Sequence, residues 1–119
     1  MSRTLVIGAS TNPEKYAYKA IQQLKKHGEE VLAIGIKAGE VEGVTIQTGM
    51  PELKNIDTVT LYIGPAHQPG YYNYILSLKP RRVIFNPGTE NPEFEEMVRK
   101  EGIEAEVACT LVMLSIGNY

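Results

Sequence analysis

The stretch Thr4-Leu5-Val6-Ile7-Gly8-Ala9-Ser10-Thr11-Asn12-Pro13-Glu14-Lys15 decides the architecture of this chain. Its first four residues are apolar or β-branched without alternation, the pattern of a strand buried on both faces. Gly8 closes that strand. Asn12 is a good N-cap, Pro13 suits a first helical position and Glu14 suits a first turn, so the pattern predicts a helix from here. Ala17, Ala20, Ile21 and Leu24 then recur at helical spacing as one apolar stripe, and Gly28 ends the helix. Val31-Leu32-Ala33-Ile34 follows as a second strand. A strand, a helix and a second strand make a βαβ unit with parallel strands.

The rest of the chain repeats this rhythm. Gly35 to Gly43 holds three glycines and no period, and reads as a loop. Val44-Thr45-Ile46 reads as a short edge strand, Pro51-Glu52-Leu53 as at most one helical turn, and Thr58 to Ile63 as a buried strand. A helix through Tyr71, Tyr72, Ile75 and Leu76 precedes the strand Arg82-Val83-Ile84-Phe85. Asn91-Pro92-Glu93 repeats the first helix-start signal, with Phe94, Met97 and Val98 as the stripe and Gly102 as the stop. Glu104 to Val107 is a last strand, and Leu111 to Leu114 opens a final short helix. The expected architecture is an α/β, Rossmann-like, doubly wound parallel sheet in three layers. Counting the six expected strands along the chain, the favoured order is 3-2-1-4-5-6, with 2-1-3-4-5 as the alternative.

With 119 residues, the expectation is a single domain spanning 1–119. One cysteine excludes an internal disulfide, and two histidines beside it do not make a closed structural zinc site, so no metal is expected. A net charge of −2 removes the bulk electrostatic case for nucleic acid. No apolar run is long enough for a membrane helix or a signal-peptide core, which makes the cytoplasm the expected location.

Open α/β sheets bind ligands beyond the carboxyl ends of the strands, where the strand order reverses. That crevice falls between the Gly8-Ala9-Ser10-Thr11-Asn12 loop and the loop at Gly64-Pro65. The first loop offers backbone N–H groups, hydroxyls and a helix N-terminus to a phosphate, with Lys15 adding charge. Gly8, Ser10 and Asn12 serve equally well as a plain turn and cap. Only one glycine of a G-x-G-x-x-G fingerprint is present. After the second strand, Lys37 stands where NAD enzymes carry an acid for the ribose. A cation there favours a phosphorylated ribose; a solvated surface lysine is the bland alternative. Asn86-Pro87-Gly88-Thr89-Glu90 is a third loop whose Gly88 could donate to a ligand, or simply turn the chain. Arg81 and Arg82, on the opposite edge, read as surface charge. No hydrolase elbow or paired-histidine motif is present; His67 and Cys109 are the reactive groups nearest the crevice.

Gly8-Ala9-Ser10-Thr11-Asn12-Pro13-Glu14-Lys15-Tyr16-Ala17-Tyr18-Lys19 resembles the opening of the small single-domain CoA-binding proteins, themselves similar to the CoA-binding domain of the succinyl-CoA synthetase α subunit. Lys37, Val41-Glu42-Gly43-Val44, Gly64-Pro65 and the Cys109 region sit in matching order, so the resemblance covers nearly the whole chain. Gly35-Ile36 stands where the family usually has Asn-Pro. By resemblance, Gly8, Ala9, Ser10 and Lys15 hold the pyrophosphate of coenzyme A, with Thr11 and Asn12 of the same loop counted among the candidate binding residues. Lys37 approaches its adenosine 3′-phosphate, and Gly64-Pro65 borders the adenosine or pantetheine path. A phosphate loop and Lys37 in a domain with no room for a catalytic second half make the expected function binding of CoA, or an acyl-CoA, at the carboxyl ends of the strands as a non-catalytic or regulatory module. The alternatives are a small enzyme acting on a CoA ester or nucleotide through His67 or Cys109, and an NAD-type binder. The tyrosine-rich helix hints at a homodimer.

Overall fold

The computed structural model describes residues 2–119. It contains strands β1 (Arg3–Ile7), β2 (Glu30–Ile34), β3 (Gly39–Val41), β4 (Val44–Gln47), β5 (Thr58–Leu61), β6 (Arg82–Phe85) and β7 (Glu104–Val107). Helices α1 (Tyr16–Lys26), α2 (Tyr72–Ser77), α3 (Pro92–Lys100) and α4 (Thr110–Ser115) connect or follow them. All seven strands form one sheet in the order β3-β4-β2-β1-β5-β6-β7. Every pairing is parallel except β3 with β4.

The central strands are apolar throughout because both faces are covered. Side chains alternate across a strand, so Leu5 and Ile7 of β1 join the core beneath α2 and α3, with Val59, Leu61, Phe85, Phe94 and Val98. Val6, between them, joins the opposite core with Ala17, Ile21 and Leu24 of α1 and Leu114 of α4. These are the three layers expected.

The six expected strands take the order 3-2-1-4-5-6, and a seventh adds to them. The loop assigned to Gly35–Gly43 contains β3, which folds back antiparallel on β4 through the Glu42-Gly43 turn. At three residues, that strand is too short for a periodicity to register. The buried strand from Thr58 ends at Leu61 rather than Ile63, and residues 51–53 form no helical turn. The first helix starts at Tyr16, several residues past its expected Asn12 cap. Arg82 is not surface charge: it is 6% exposed, donates to Thr58 Oγ1 at 2.9 Å, pairs with Glu106 at 3.4 Å and lies over the Tyr119 ring. A long cationic side chain on a strand end can turn inward when an acid and an aromatic face meet it. Arg81 is exposed, as expected, and pairs with Asp57.

Candidate functional site

Between β1 and β5 the chain leaves in opposite directions, toward α1 on one side of the sheet and α2 on the other. The loops after these two strands touch. Tyr62 N–H donates to Ile7 O at 2.8 Å, and Gly8 has φ +97°. A Cβ at Gly8 would lie 2.8 Å from the Tyr62 carbonyl group and 2.9 Å from Ile63 Cγ2. Glycine is required here by the protein's own backbone, so a bulky substitution would disrupt the fold whether or not a phosphate is bound.

The amides of this loop divide into two sets. Gly8 N–H and Ala9 N–H both donate to Ile34 O at 2.9 Å, tying the loop to the end of β2. Gly35 permits this closeness, since a Cβ there would sit 2.4 Å from Ala9 O. Those two donors are therefore occupied within the protein. Further along, Asn12 Oδ1 accepts from Glu14 N–H at 2.9 Å, and Ser10 Oγ accepts from Asn12 N–H at 3.1 Å. Asn12 thus makes a local turn instead of capping the helix. The N-cap position belongs to Lys15, in extended geometry, and no side chain caps the first turn of α1. The positive end of an 11-residue helix is left open behind an exposed loop.

Lys37 lies in the exposed turn between β2 and β3, next to Ile36, which is 92% exposed. A Cβ on Gly39, two residues on, would lie 2.6 Å from Thr11 Cγ2, so this turn abuts the β1–α1 loop. Among the described residues no ion pair engages Lys15 or Lys37. The fold thus brings Ser10, Thr11, Lys15 and the Lys37 turn to one corner of the sheet's carboxyl edge. Gly64 and Pro65 follow Tyr62 on the neighbouring loop, with open space beside the Gly64 Cα.

Gly88 is placed differently. Its N–H donates to Glu90 Oε1 at 2.8 Å, and Thr89 is turned inward, donating to Asn86 O from both its N–H and its hydroxyl. The loop is closed upon itself. Gln68, passed over by the sequence reading, and Asn86, named there only as part of the loop, organise it. Buried Gln68 donates to Ile63 O and Thr89 O and accepts from Asn91 Nδ2. Asn86 donates to Thr60 Oγ1 and Leu61 O and accepts from Thr110 N–H. A glutamine in a Pro/Gly-rich loop carries no local signal of burial; only the meeting of the loops after β5 and β6 around it reveals its role.

Beside this network a cleft of about 230 Å³ opens between Tyr16, Tyr62, Asn86, Pro87, Cys109 and Leu111. It joins the start of α1 to the start of α4. Cys109 is partly exposed there as a free thiol, whereas His67 is exposed on the Pro65–His67 turn. Tyr62 Oη is buried without a hydrogen-bond partner; Thr60 and Thr110 lie near but bond to each other at 2.8 Å. Burial, above all, raises the pKa of its phenol. The tyrosines of the second helix face the protein: Tyr72 stacks on Phe94 at 4.2 Å, and Tyr74 Oη donates to Pro51 O. They therefore give no support to a dimer contact. No helix is long and apolar enough to cross a membrane, and no metal-ligating cluster occurs among the described residues.

The model of a CoA binding domain family matches residues 2–115. An uncharacterised protein of solved structure is 55% identical, covering 100% of this chain and 98% of its own, with a TM-score of 0.97. A conserved hypothetical protein from Pyrococcus furiosus is 24% identical over 89% of this chain and 92% of its own, with a TM-score of 0.78. A dinucleotide-forming acetyl-coenzyme A synthetase from Ca. Korarchaeum cryptofilum, solved with phosphate and ADP, shares the fold at 19% identity and a TM-score of 0.70. Its match covers 87% of this chain but 25% of the synthetase. No curated protein matches.

Proposed function

We propose, from the premise that this chain belongs to the CoA binding domain family, that it binds coenzyme A at the carboxyl edge of the sheet as a non-catalytic module. The observation that carries this reading is the uncapped start of α1, set in one corner with Ser10, Thr11, Lys15 and the Lys37 turn. A pyrophosphate there meets free amides, hydroxyls and the helix dipole together. Because Gly8 and Ala9 amides are taken by Ile34 O, their role is to shape the loop, and the Ser10, Thr11 and first-turn amides contact the anion. Asn12 shapes the same turn. Lys37 meets the 3′-phosphate, with Ile36 offering apolar surface beside the adenosine. Gly64 and Pro65 line the path of the pantetheine arm. Gly88, its N–H held by Glu90, drops out of the contact set.

A small enzyme is the second reading, and Cys109 in the cleft is the observation that favours it. Titration calorimetry of ligand-stripped, reduced protein with CoA, dephospho-CoA and NAD tests the first. The expected result is CoA binding that weakens without the 3′-phosphate, and a Lys37→Ala variant that loses about tenfold for CoA but little for dephospho-CoA. Equal losses would remove Lys37 from the 3′-phosphate, and preference for NAD would overturn the CoA reading. Turnover of acyl-CoA that disappears in Cys109→Ala would establish the enzyme instead.

A further inference from the structure

We infer that the open edge of β7 is an interface with a second copy of this chain, the two strands pairing antiparallel about Glu106 into one continuous sheet. β7 ends the sheet and pairs there with β6 alone. Glu104 N–H and Ala108 N–H donate inward, to Arg81 O and Phe85 O. The alternation of a strand therefore turns the N–H and C=O groups of Ala105 and Val107 outward, where no strand meets them. Val107, 54% exposed, is the apolar end of that edge. Unpaired backbone groups beside an exposed β-branched residue are a ready surface for another strand. The edge lies away from the corner assigned to CoA, so this inference is independent of that reading.

The register identifies the occupant. With a two-fold axis at Glu106, Ala105 of each copy stands opposite Val107 of the other, and both apolar pairs exchange backbone hydrogen bonds. Glu106 then meets Glu106 of the second copy, which is repulsive for free acids. These acids are not free: buried Arg82 pairs with Glu106 at 3.4 Å, so the centre of the contact holds two carboxylates and two guanidiniums. Glu104 falls opposite Ala108 and faces no acid. The other edge of the sheet offers no such register. β3 is three residues long, and an axis at its centre sets Glu40 against Glu40, with no ion pair to either among the described residues. Beside β7, α4 adds apolar surface. Leu111 lines the cleft on the α1 side, while Ile116, about 140° further round the helix, is turned away from α1 and is 67% exposed. One group covers the edge now: Arg99 Nη2 donates to Ala105 O at 3.3 Å, a long bond from an exposed side chain that a partner strand's N–H replaces.

Sedimentation equilibrium of the full chain over a concentration series tests this. A short edge and a few apolar side chains make a small contact, so the expected dimer dissociates in the micromolar range. Val107→Lys places a charge on the edge, and Val107→Pro removes an outward N–H that β6 does not use. Each should weaken the dimer by about tenfold or more while the far-UV circular dichroism spectrum stays that of the parent. Glu40→Lys, at the other edge, should leave the dimer unchanged. A single-chain mass at every concentration up to about 1 mM overturns the inference. So does a dimer that survives in the folded Val107 variants, or one that Glu40→Lys dissociates, because either places the contact elsewhere.

Discussion

The tripeptide Asn-Pro-Glu stands twice in this chain, at 12–14 and at 91–93, and the two copies end in different structures. Asn91 caps α3: its Oδ1 accepts from Phe94 N–H at 3.2 Å, and Glu95 Oε2 returns to accept from Asn91 N–H at 2.9 Å. Phe94 is fully buried, stacked on Tyr72 and edge-on to Phe85, and anchors that turn in the core. In the first copy the residues matching Phe94 and Glu95 are Lys15 and Tyr16, both exposed. Neither anchors the turn, and no carboxylate comes back to close it. The helix starts four residues after Asn12, and its first turn stays uncapped. One loop caps the helix that follows it; the other leaves the first turn of its helix without a side-chain cap. A cap signal is therefore completed by the residues after it, not by the Asn-Pro pair alone.

The largest contrast should come from the anchors. Phe94→Ala should destabilise the protein by about 3–5 kcal/mol, and Lys15→Ala by less than about 0.5 kcal/mol, in denaturant titrations. Comparable losses at the two positions would break the distinction between a closed loop and an open one. The caps come next. Asn91 also donates to Gln68 Oε1 and Tyr72 Oη, so Asn91→Ala should cost about 2 kcal/mol. Asn12→Ala, which loses one exposed turn bond, should cost only a few tenths of a kcal/mol on the order of a surface change.

Closing the open loop should sharpen the comparison further. Lys15 already has extended N-cap geometry, so Lys15→Asp should cap α1 and raise stability by about 0.5–1 kcal/mol. The same change puts a negative charge where the pyrophosphate is proposed to bind, and CoA affinity should fall by more than about tenfold. Thermal melting and calorimetry on one preparation measure both effects; stabilisation with undiminished CoA binding would show that the helix end is not the anion site.

A further small effect lies at the opposite edge of the sheet, where there is no proposed ligand. Arg81 donates to Asp57 and holds its carboxyl below the ordinary carboxylate range, against the opposing pull of partial burial. A depressed folded pKa contributes stability that is fully present above the unfolded value, about 3.9, and is lost as pH falls through the folded one. Arg81 is largely exposed, so Asp57→Asn should cost only about 0.5 kcal/mol at neutral pH and flatten the acid limb of the stability profile. An unchanged acid limb would remove Asp57 from it.

Much of this protein follows from local patterns alone. The doubly covered strands, the apolar stripes of α1 and α3 and the Asn91 cap are set by residues adjacent in sequence or one turn apart, whereas the order of the six expected strands rested on topology, with 2-1-3-4-5 as the alternative. Alternating strands and helices also admit few right-handed arrangements, which is what points a sequence reading to the strands' carboxyl ends for a site. The three-residue strand β3, the late start of α1, the burial of Arg82 and the role of Gln68 could not be read this way. Arg82 and Gln68 find partners 21 to 24 positions away, β3 is too short to show a period, and the late start of α1 turns on exposed residues where α3 has a buried anchor. Tertiary contact also decided which amides of the first loop remain free. Gly8 and Ala9 look like ligand donors until the end of β2 comes within hydrogen-bonding distance and takes them. A backbone N–H carries the same sequence signature whether its acceptor is a phosphate or a carbonyl, and only the folded geometry tells the two apart.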